Sequence, residues 1–165
     1  MGKAAIGVGS NQGDSVGICR DVFNILRKHP AVDRFVASSL YKTSPVGLRE
    51  QEWFINAAML LETRLKPMEL LEFMFEVEKS FGRERKVKWG PRTLDLDIIF
   101  YENLQIDQPG LKLPHPLMSE RLFVLAPLAE IEPGWVHPGL GLSVQQMLDR
   151  IIKSGSGQYI KKLEE

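Results

Sequence analysis

Apolar residues follow two different periods along this chain, and together they predict a mixed α/β protein. Four stretches have the short apolar runs or the alternation typical of strands: residues 3–8, 35–42, 54–61 and 93–101. In two longer stretches apolar residues recur every three or four positions, from Ser15 until His29 and from Pro67 until Gly82, and these predict amphipathic helices. Two further helices are predicted among the prolines of the C-terminal third, over residues 120–131 and 143–152.

The order of these elements favours one fold class. Helices that alternate with half-exposed strands indicate an α+β sandwich, because the strands of a parallel doubly wound sheet are buried on both faces. The chain has no internal repeat, low-complexity tract or linker, so we predict a single domain over residues 1–165. Its composition, 44% apolar and 25% charged, is that of an ordinary folded protein.

The overall charge gives no sign of a polyanionic partner. Lys plus Arg and Asp plus Glu number 21 each, so we expect no general attraction to nucleic acid or to an anionic membrane. Cys19 is the only cysteine, which excludes an intramolecular disulfide and a cysteine-based zinc site. The apolar runs are shorter than a spanning helix needs and the N-terminus lacks the order of a signal peptide, so a cytoplasmic location is expected.

One segment concentrates charge of both signs. Five of the 21 cationic side chains fall within residues 83–92, and two carboxylates, Asp95 and Asp97, follow directly. If residues 93–101 form a strand, both carboxylates share one face, roughly 7 Å apart by two strand rises. The opposite, core-facing side would then carry the apolar residues Leu94, Leu96, Ile98 and Phe100.

This juxtaposition points to a nucleotide and metal site. Two like charges on one face of a half-buried strand are costly unless a cation lies between them, and Mg²⁺ is typically held by one or two carboxylates plus phosphates. The neighbouring cations can hold a polyphosphate and neutralise charge on a transferring group. The alternative is a solvated loop whose arginines pair with Asp95 and Asp97 and have no function.

Two nucleotide-binding motifs are not matched. Gln12 occupies the third glycine position of a dinucleotide fingerprint in the turn over residues 7–14, and the chain has no P-loop sequence. We interpret this turn as a strand-to-helix connection in which glycines supply positive φ angles.

The three histidines and one acidic residue are candidates of lower weight. His29 is expected to end a helix and His137 to lie in a surface turn, whereas His115 is followed closely by the polar and aromatic pair Arg121 and Phe123. Glu78 lies within the apolar stretch of the second helix, where it either needs a partner or reaches solvent at the helix edge.

Several motifs together resemble a known family. They are Gly9-Ser-Asn11, Tyr41-Lys-Thr-Ser-Pro-Val-Gly47, Phe54-Ile-Asn-Ala-Ala58, Gly90-Pro-Arg-Thr-Leu-Asp-Leu-Asp-Ile98, Leu113-Pro-His-Pro116 and Arg121-Leu-Phe123. The set spans nearly the whole chain and is similar to the 6-hydroxymethyl-7,8-dihydropterin pyrophosphokinases of folate biosynthesis. The resemblance implies a ferredoxin-like α+β fold, in which helices flank an antiparallel sheet. It also implies Mg²⁺-dependent transfer of pyrophosphate from ATP to the pterin hydroxymethyl group, with release of AMP.

The same resemblance implies roles for individual residues. Asp95 and Asp97 would bind two Mg²⁺ ions, and Arg83 and Arg92 would be the catalytic cations. The ATP site would comprise Glu78, Arg85, Lys86, Trp89, Arg92, Ile98, His115 and Arg121, and the pterin site Thr43, Val46, Phe54, Asn56, Asp95 and Phe123. ATP and the pterin are then the expected partners of a monomer that binds neither nucleic acid nor membrane.

Two other functions compete with this interpretation. A ferredoxin-like RNA-binding module could use the basic segment 83–92, although the aromatic-rich signature of such modules is missing from the chain. A metal-dependent nuclease could use the same two aspartates. The first would be retained on single-stranded RNA in a salt-dependent way, and the second would degrade nucleic acid without a pterin.

Overall fold

A computed structural model of the chain describes residues 1–45, 50–82 and 93–163. The strands within these ranges are β1 (Gly2–Ser10), β2 (Val32–Ala37), β3 (Tyr41–Thr43), β4 (Phe54–Thr63), β5 (Asp95–Tyr101), β6 (Ile106–Gln108), β7 (Leu111–Leu113) and β8 (Ile160–Lys162). The helices are α1 (Ser15–Lys28), α2 (Pro67–Ser80), α3 (Leu122–Ile131) and α4 (Val144–Ser154), with a 3₁₀ turn at Met118–Glu120.

The main sheet is antiparallel throughout. Its strand order is β5-β1-β4-β3-β8, and β2 pairs with β4 along the same edge as β3. The order β5-β1-β4-β2, with α1 and α2 as the connecting helices, is the split βαβ arrangement of ferredoxin-like proteins. The α+β, ferredoxin-like fold expected from the sequence is thus confirmed, and β6 and β7 form a separate hairpin.

Two hydrophobic cores lie on the two faces of this sheet. On one face α1 and α2 bury Cys19, Val22, Leu26, Leu70 and Met74 against the strands. On the other face α3 and α4 bury a second set, which includes Leu125, Leu128 and Met147. The sheet is therefore covered on both sides. On the face that carries α3 and α4, one end of the sheet is left open.

The helices begin and end close to the predicted positions, and local capping explains why. Asp14 accepts a hydrogen bond of 3.1 Å from the Gly17 N–H at the start of α1, and His29 follows its last residue. Ser143 and Gln146 form a reciprocal capping box at the start of α4, which Gly155 ends in the left-handed conformation at φ 67°. No helix in the described ranges has the length and apolar character needed to cross a membrane.

The strand predicted over residues 35–42 is two strands instead. Regular strand pairing is interrupted at Ser38. The Ser38 hydroxyl accepts a hydrogen bond of 2.9 Å from the Ala58 N–H, and the Ser38 N–H donates to the Ala58 carbonyl. A side chain thus replaces a backbone partner here. As a result β2 pairs with the second half of β4 and β3 with the first half.

The predicted alternation along β5 is wrong at its end. Ile6 pairs with Ile98 and Ala5 with Phe100, so Ile99 is an extra residue in a β-bulge. The bulge turns Phe100 away from Leu94, Leu96 and Ile98 and onto the opposite face, where it stacks on Trp135 at 4.9 Å between ring centroids.

Candidate active site

A cleft of about 680 Å³ opens on the sheet face that carries α3. It lies where β1 ends and where β4, β5 and α3 begin. The cleft brings together seven residues that the sequence nominated: Thr43, Phe54, Asn56, Asp95, Asp97, Arg121 and Phe123.

A buried amide and hydroxyl form the polar floor of the cleft. Asn56 and Thr43 are 6% and 2% exposed, and the Asn56 Nδ2 donates a hydrogen bond of 2.5 Å to the Thr43 Oγ1. The two residues lie in the neighbouring strands β4 and β3, which fixes their spacing. The Asn56 Nδ2 thus faces Thr43, and the amide oxygen lies over Gly9, on β1.

Two glycines of β1 shape the same floor, and their role differs from the predicted one. Gly7 and Gly9 lie within the strand, and the positive φ angle belongs to Gly13 in the turn that follows. A Cβ on residue 9 would lie 2.6 Å from the Asn56 Oδ1, whereas one on residue 7 would lie 3.5 Å from the Ile99 Cδ1. Gly9 therefore leaves the room that the amide of Asn56 occupies.

The sequence analysis did not predict that Gly9 makes room for the Asn56 amide, although the sequence contains a signal for it. Gly7 and Gly9 are two positions apart in a segment predicted as a strand, so they share one face. A glycine in a strand interior often marks a close approach of a ligand or another group.

Two aromatic rings from different elements line the cleft. Phe54 begins β4 and Phe123 lies in the first turn of α3, and both are half-buried. The Arg121 guanidinium carbon lies 5.4 Å from the centre of the Phe123 ring, so a cation is held against this aromatic face. The cleft therefore offers apolar faces beside a polar floor.

The acidic pair of β5 faces the cleft as its strand alternation predicts. Asp95 and Asp97 are half-buried and line it together with Ile99. Behind them Glu78, on α2, is only 3% exposed, and its carboxylate accepts the Leu96 N–H at 2.8 Å. The possibility that Glu78 reaches solvent at a helix edge is therefore wrong, because it contacts the strand between the two aspartates.

His115 lies close to both the acidic and the basic side chains of the cleft. Its backbone N–H donates to the Ile99 carbonyl at 2.9 Å, and its Nδ1 accepts the Leu117 N–H at 3.2 Å, so the neutral ring carries its proton on Nε2. Burial and then the charge of Arg121 lower the pKa of His115 from 6.5 to about 4, and Asp95 opposes this in part. The imidazole is thus neutral at neutral pH.

The remaining nominated residues are placed elsewhere. The Ile98 side chain is 5% exposed and packs in the core with α1 and α2, on the other face of β5 from the cleft. The other six lie outside the described residues: Val46, Arg83, Arg85, Lys86, Trp89 and Arg92. His29 and His137 lie where they were expected, at the end of α1 and in a turn whose N–H groups bond to the His137 Nδ1.

The donor set of the cleft fits magnesium. Two carboxylates on one strand face suit a hard cation that keeps waters and phosphate oxygens as its other ligands. Within the part of the chain that the structure describes, no cluster of three or more His, Cys, Asp or Glu side chains forms a self-sufficient cage. Asp95 and Asp97 would suit an ion whose other ligands are waters and phosphate oxygens.

The site thus consists of an antiparallel ferredoxin-like sheet with an acidic pair beside an aromatic and amide-lined cleft. The chain belongs to the 7,8-dihydro-6-hydroxymethylpterin-pyrophosphokinase family, whose model matches residues 5–133. The family expected from the motifs is confirmed.

Individual relatives support this assignment. The chain is 48% identical over 128 residues to the 2-amino-4-hydroxy-6-hydroxymethyldihydropteridine pyrophosphokinase of Bacillus subtilis, a match that covers 78% of this chain and 77% of the relative. It is 39% identical over 155 residues to the enzyme of the same name from Methylorubrum extorquens, covering 94% and 97%.

Solved structures support the fold. Wild-type Plasmodium falciparum HPPK-DHPS with pteroate matches 92% of this chain with a TM-score of 0.74 at 13% identity. This chain spans 42% of that longer one.

Proposed function

We propose that this cleft is where the chain transfers pyrophosphate from ATP to the hydroxymethyl group of 6-hydroxymethyl-7,8-dihydropterin. Membership of the family makes the chain a pyrophosphokinase of folate biosynthesis. The observation that carries the placement is the buried Asn56–Thr43 pair, which lies in one cleft with two aromatic rings and two aspartates.

The pterin fits the apolar and amide side of the cleft. Its ring is flat and has an edge of alternating hydrogen-bond donors and acceptors, so it calls for aromatic faces and an oriented amide. Phe54 and Phe123 supply the faces, and Asn56, held by its hydrogen bond to Thr43, supplies the amide. Asp95 completes the pterin side, and Val46 is proposed to contribute there too.

The nucleotide fits the charged side of the cleft. Asp95 and Asp97 would hold magnesium, which we propose as two ions. Bound there, magnesium neutralises charge on the phosphate oxygens. We propose that Arg121 and the Nε2–H of His115 donate to the nucleotide. Glu78 supports this side of the cleft through its hydrogen bond to the Leu96 N–H.

The reaction itself needs positioning rather than a covalent enzyme intermediate. The pterin hydroxyl oxygen attacks the β-phosphorus of ATP in line. The bond between the β-phosphorus and the oxygen that bridges to the α-phosphate breaks, and AMP leaves with that oxygen. We propose Arg83 and Arg92 as the cations that stabilise the transferring group. We propose Arg85, Lys86 and Trp89 as the remaining contacts to ATP. Ile98 is not among them, because its side chain packs in the core on the other face of β5.

Other expectations from the sequence remain predictions. They are a single domain, a monomer that binds neither nucleic acid nor membrane, and a cytoplasmic location. The comparisons give no support to the RNA-binding alternative, and we do not propose it.

The test is to incubate the protein with Mg²⁺ and ATP, with and without the pterin, and to separate the nucleotides by chromatography. We expect AMP, and we expect it only when the pterin is present. ADP as the product, or AMP in the absence of the pterin, would overturn the proposal.

A further inference from the structure

Two consecutive residues near the C-terminus bond to both walls of the cleft. Gln158 and Tyr159 lie just before β8, far in sequence from every residue nominated for the site. One wall comprises Ser44 and Phe54, and the other comprises Arg121 and Phe123. The family model ends at residue 133, so this segment lies beyond the part of the chain that the model matches.

Gln158 holds the start of α3. Its Nε2 donates to the Glu120 carbonyl at 3.0 Å, and its Oε1 accepts the Leu122 N–H at 2.8 Å. Leu122 is the first residue of α3, and the Arg121 side chain makes no capping hydrogen bond. The first N–H groups of a helix have no partner within the helix. The side-chain amide of Gln158 therefore caps α3, and its two bonds fall on either side of Arg121.

Tyr159 holds the opposite wall. Its N–H donates to the Ser44 Oγ at 3.0 Å, and its carbonyl accepts the Ser44 N–H at 3.0 Å. Its ring stacks on Trp53 with 6.4 Å between centroids and an angle of 26°. Ser44 lines the cleft beside Thr43, and Trp53 precedes Phe54, so Tyr159 touches the neighbours of two proposed pterin contacts.

The far end of α3 is fixed independently. The Glu130 carboxylate accepts hydrogen bonds of 2.5 Å from the Tyr41 hydroxyl and 2.8 Å from the Ser39 N–H. Loss of the Gln158 bonds would therefore release only the cleft end of α3, which carries Arg121 and Phe123.

We propose that Gln158 is a positioning residue that holds Phe123 at the working distance from Phe54 and so sets the affinity for the pterin. This inference rests on the proposed function. A stacked ring is bound only while both faces are in reach, and a small misplacement of a contact group has a large effect on positioning.

The test compares three variants in the pterin-dependent AMP assay. Gln158→Met keeps the length of the side chain and removes both hydrogen bonds, so we expect the KM for the pterin to rise about five-fold or more. The KM for ATP should rise as well, because the released end of α3 also carries Arg121. Gln158→Glu retains an acceptor for the Leu122 N–H at a helix N-terminus and should recover part of the loss. Gln145→Met, on the exposed side of α4, is the matched control.

A second measurement reports on the Gln158 hydrogen bonds independently of enzyme activity. Amide hydrogen exchange at Leu122 should speed up in Gln158→Met and stay slow in Gln158→Glu and in the control. An unchanged pterin KM in Gln158→Met, or faster exchange spread evenly over all the helices instead of at the start of α3, would overturn the positioning role. Absence of pterin-dependent AMP with the unaltered protein would instead overturn the proposed function and this inference with it.

Discussion

The Glu78 carboxylate accepts a hydrogen bond of 2.8 Å from the N–H of Leu96, the residue between Asp95 and Asp97. A buried carboxylate of α2 thus holds β5 from the side opposite the cleft. The two aspartates project from a strand segment that is fixed from behind.

This contact predicts a specific loss of stability. Glu78→Leu leaves the Leu96 N–H without its acceptor and should lower the free energy of unfolding by about 1–3 kcal/mol, whereas Glu78→Gln keeps an acceptor and should lower it less. Urea unfolding of both variants measures the difference. Glu76→Leu, at an exposed position of the same helix, is the control, and equal stability of Glu76→Leu and Glu78→Leu would contradict the contact.

The floor of the cleft predicts a difference between two glycines. Gly9→Ala places a Cβ at 2.6 Å from the Asn56 Oδ1 and must displace the amide, so we expect the KM for the pterin to rise about 10-fold. Gly7→Ala, on the same face of the same strand, meets only an ordinary contact with Ile99 and should have a smaller effect. Equal effects of the two variants would show that filling the cleft, and not displacement of Asn56, is responsible.

The environment of His115 predicts its titration. In the protein free of metal and nucleotide, burial and the charge of Arg121 place its pKa at about 4 instead of 6.5. Between these values the unfolded chain binds a proton that the folded protein does not. This histidine therefore lowers stability as the pH falls from 6.5 to about 4, and adds no further loss below. A proton NMR titration, assigned with His115→Gln, measures the midpoint, and a midpoint near 6.5 would contradict the buried placement.

The proposed role of Arg92 predicts a loss of turnover. If this cation stabilises charge on the transferring group, Arg92→Ala should lower kcat by about 10²–10³, as removal of a single transition-state donor does. Steady-state kinetics at saturating ATP and pterin test this, with Lys153→Ala on α4 as the control. A kcat equal to that of the unaltered protein would rule out the role.

Much of this fold could be predicted because apolar periodicity and alternation depend only on residues close together in the sequence. Helical periodicity, ending at His29 and Gly82, placed the first two helices, and alternation placed Asp95 and Asp97 on one face. The same reasoning failed at Phe100, because a β-bulge reverses the alternation and the apolar sequence around it gives no sign of one.

Contacts between distant residues could not be predicted in this way. The hydrogen bonds of Glu78 to Leu96 and of Gln158 to Leu122 join residues 18 and 36 positions apart, and neither has a local pattern. The motif resemblance named residues of the cleft, but it could not show what holds them. That information comes from the packing of α2, α3 and β8 around the sheet.

The most direct test of the account is the pterin-dependent rate of AMP formation in Asp97→Asn, compared with Asp107→Asn on the exposed β6 strand. Both changes remove one carboxylate charge and keep the shape of the side chain. If the cleft holds MgATP through β5, Asp97→Asn should lose activity by at least about 100-fold, as expected when a charge that holds a catalytic ion is removed. Asp107→Asn should retain full activity. Full activity in Asp97→Asn would show that the transfer takes place elsewhere on this protein.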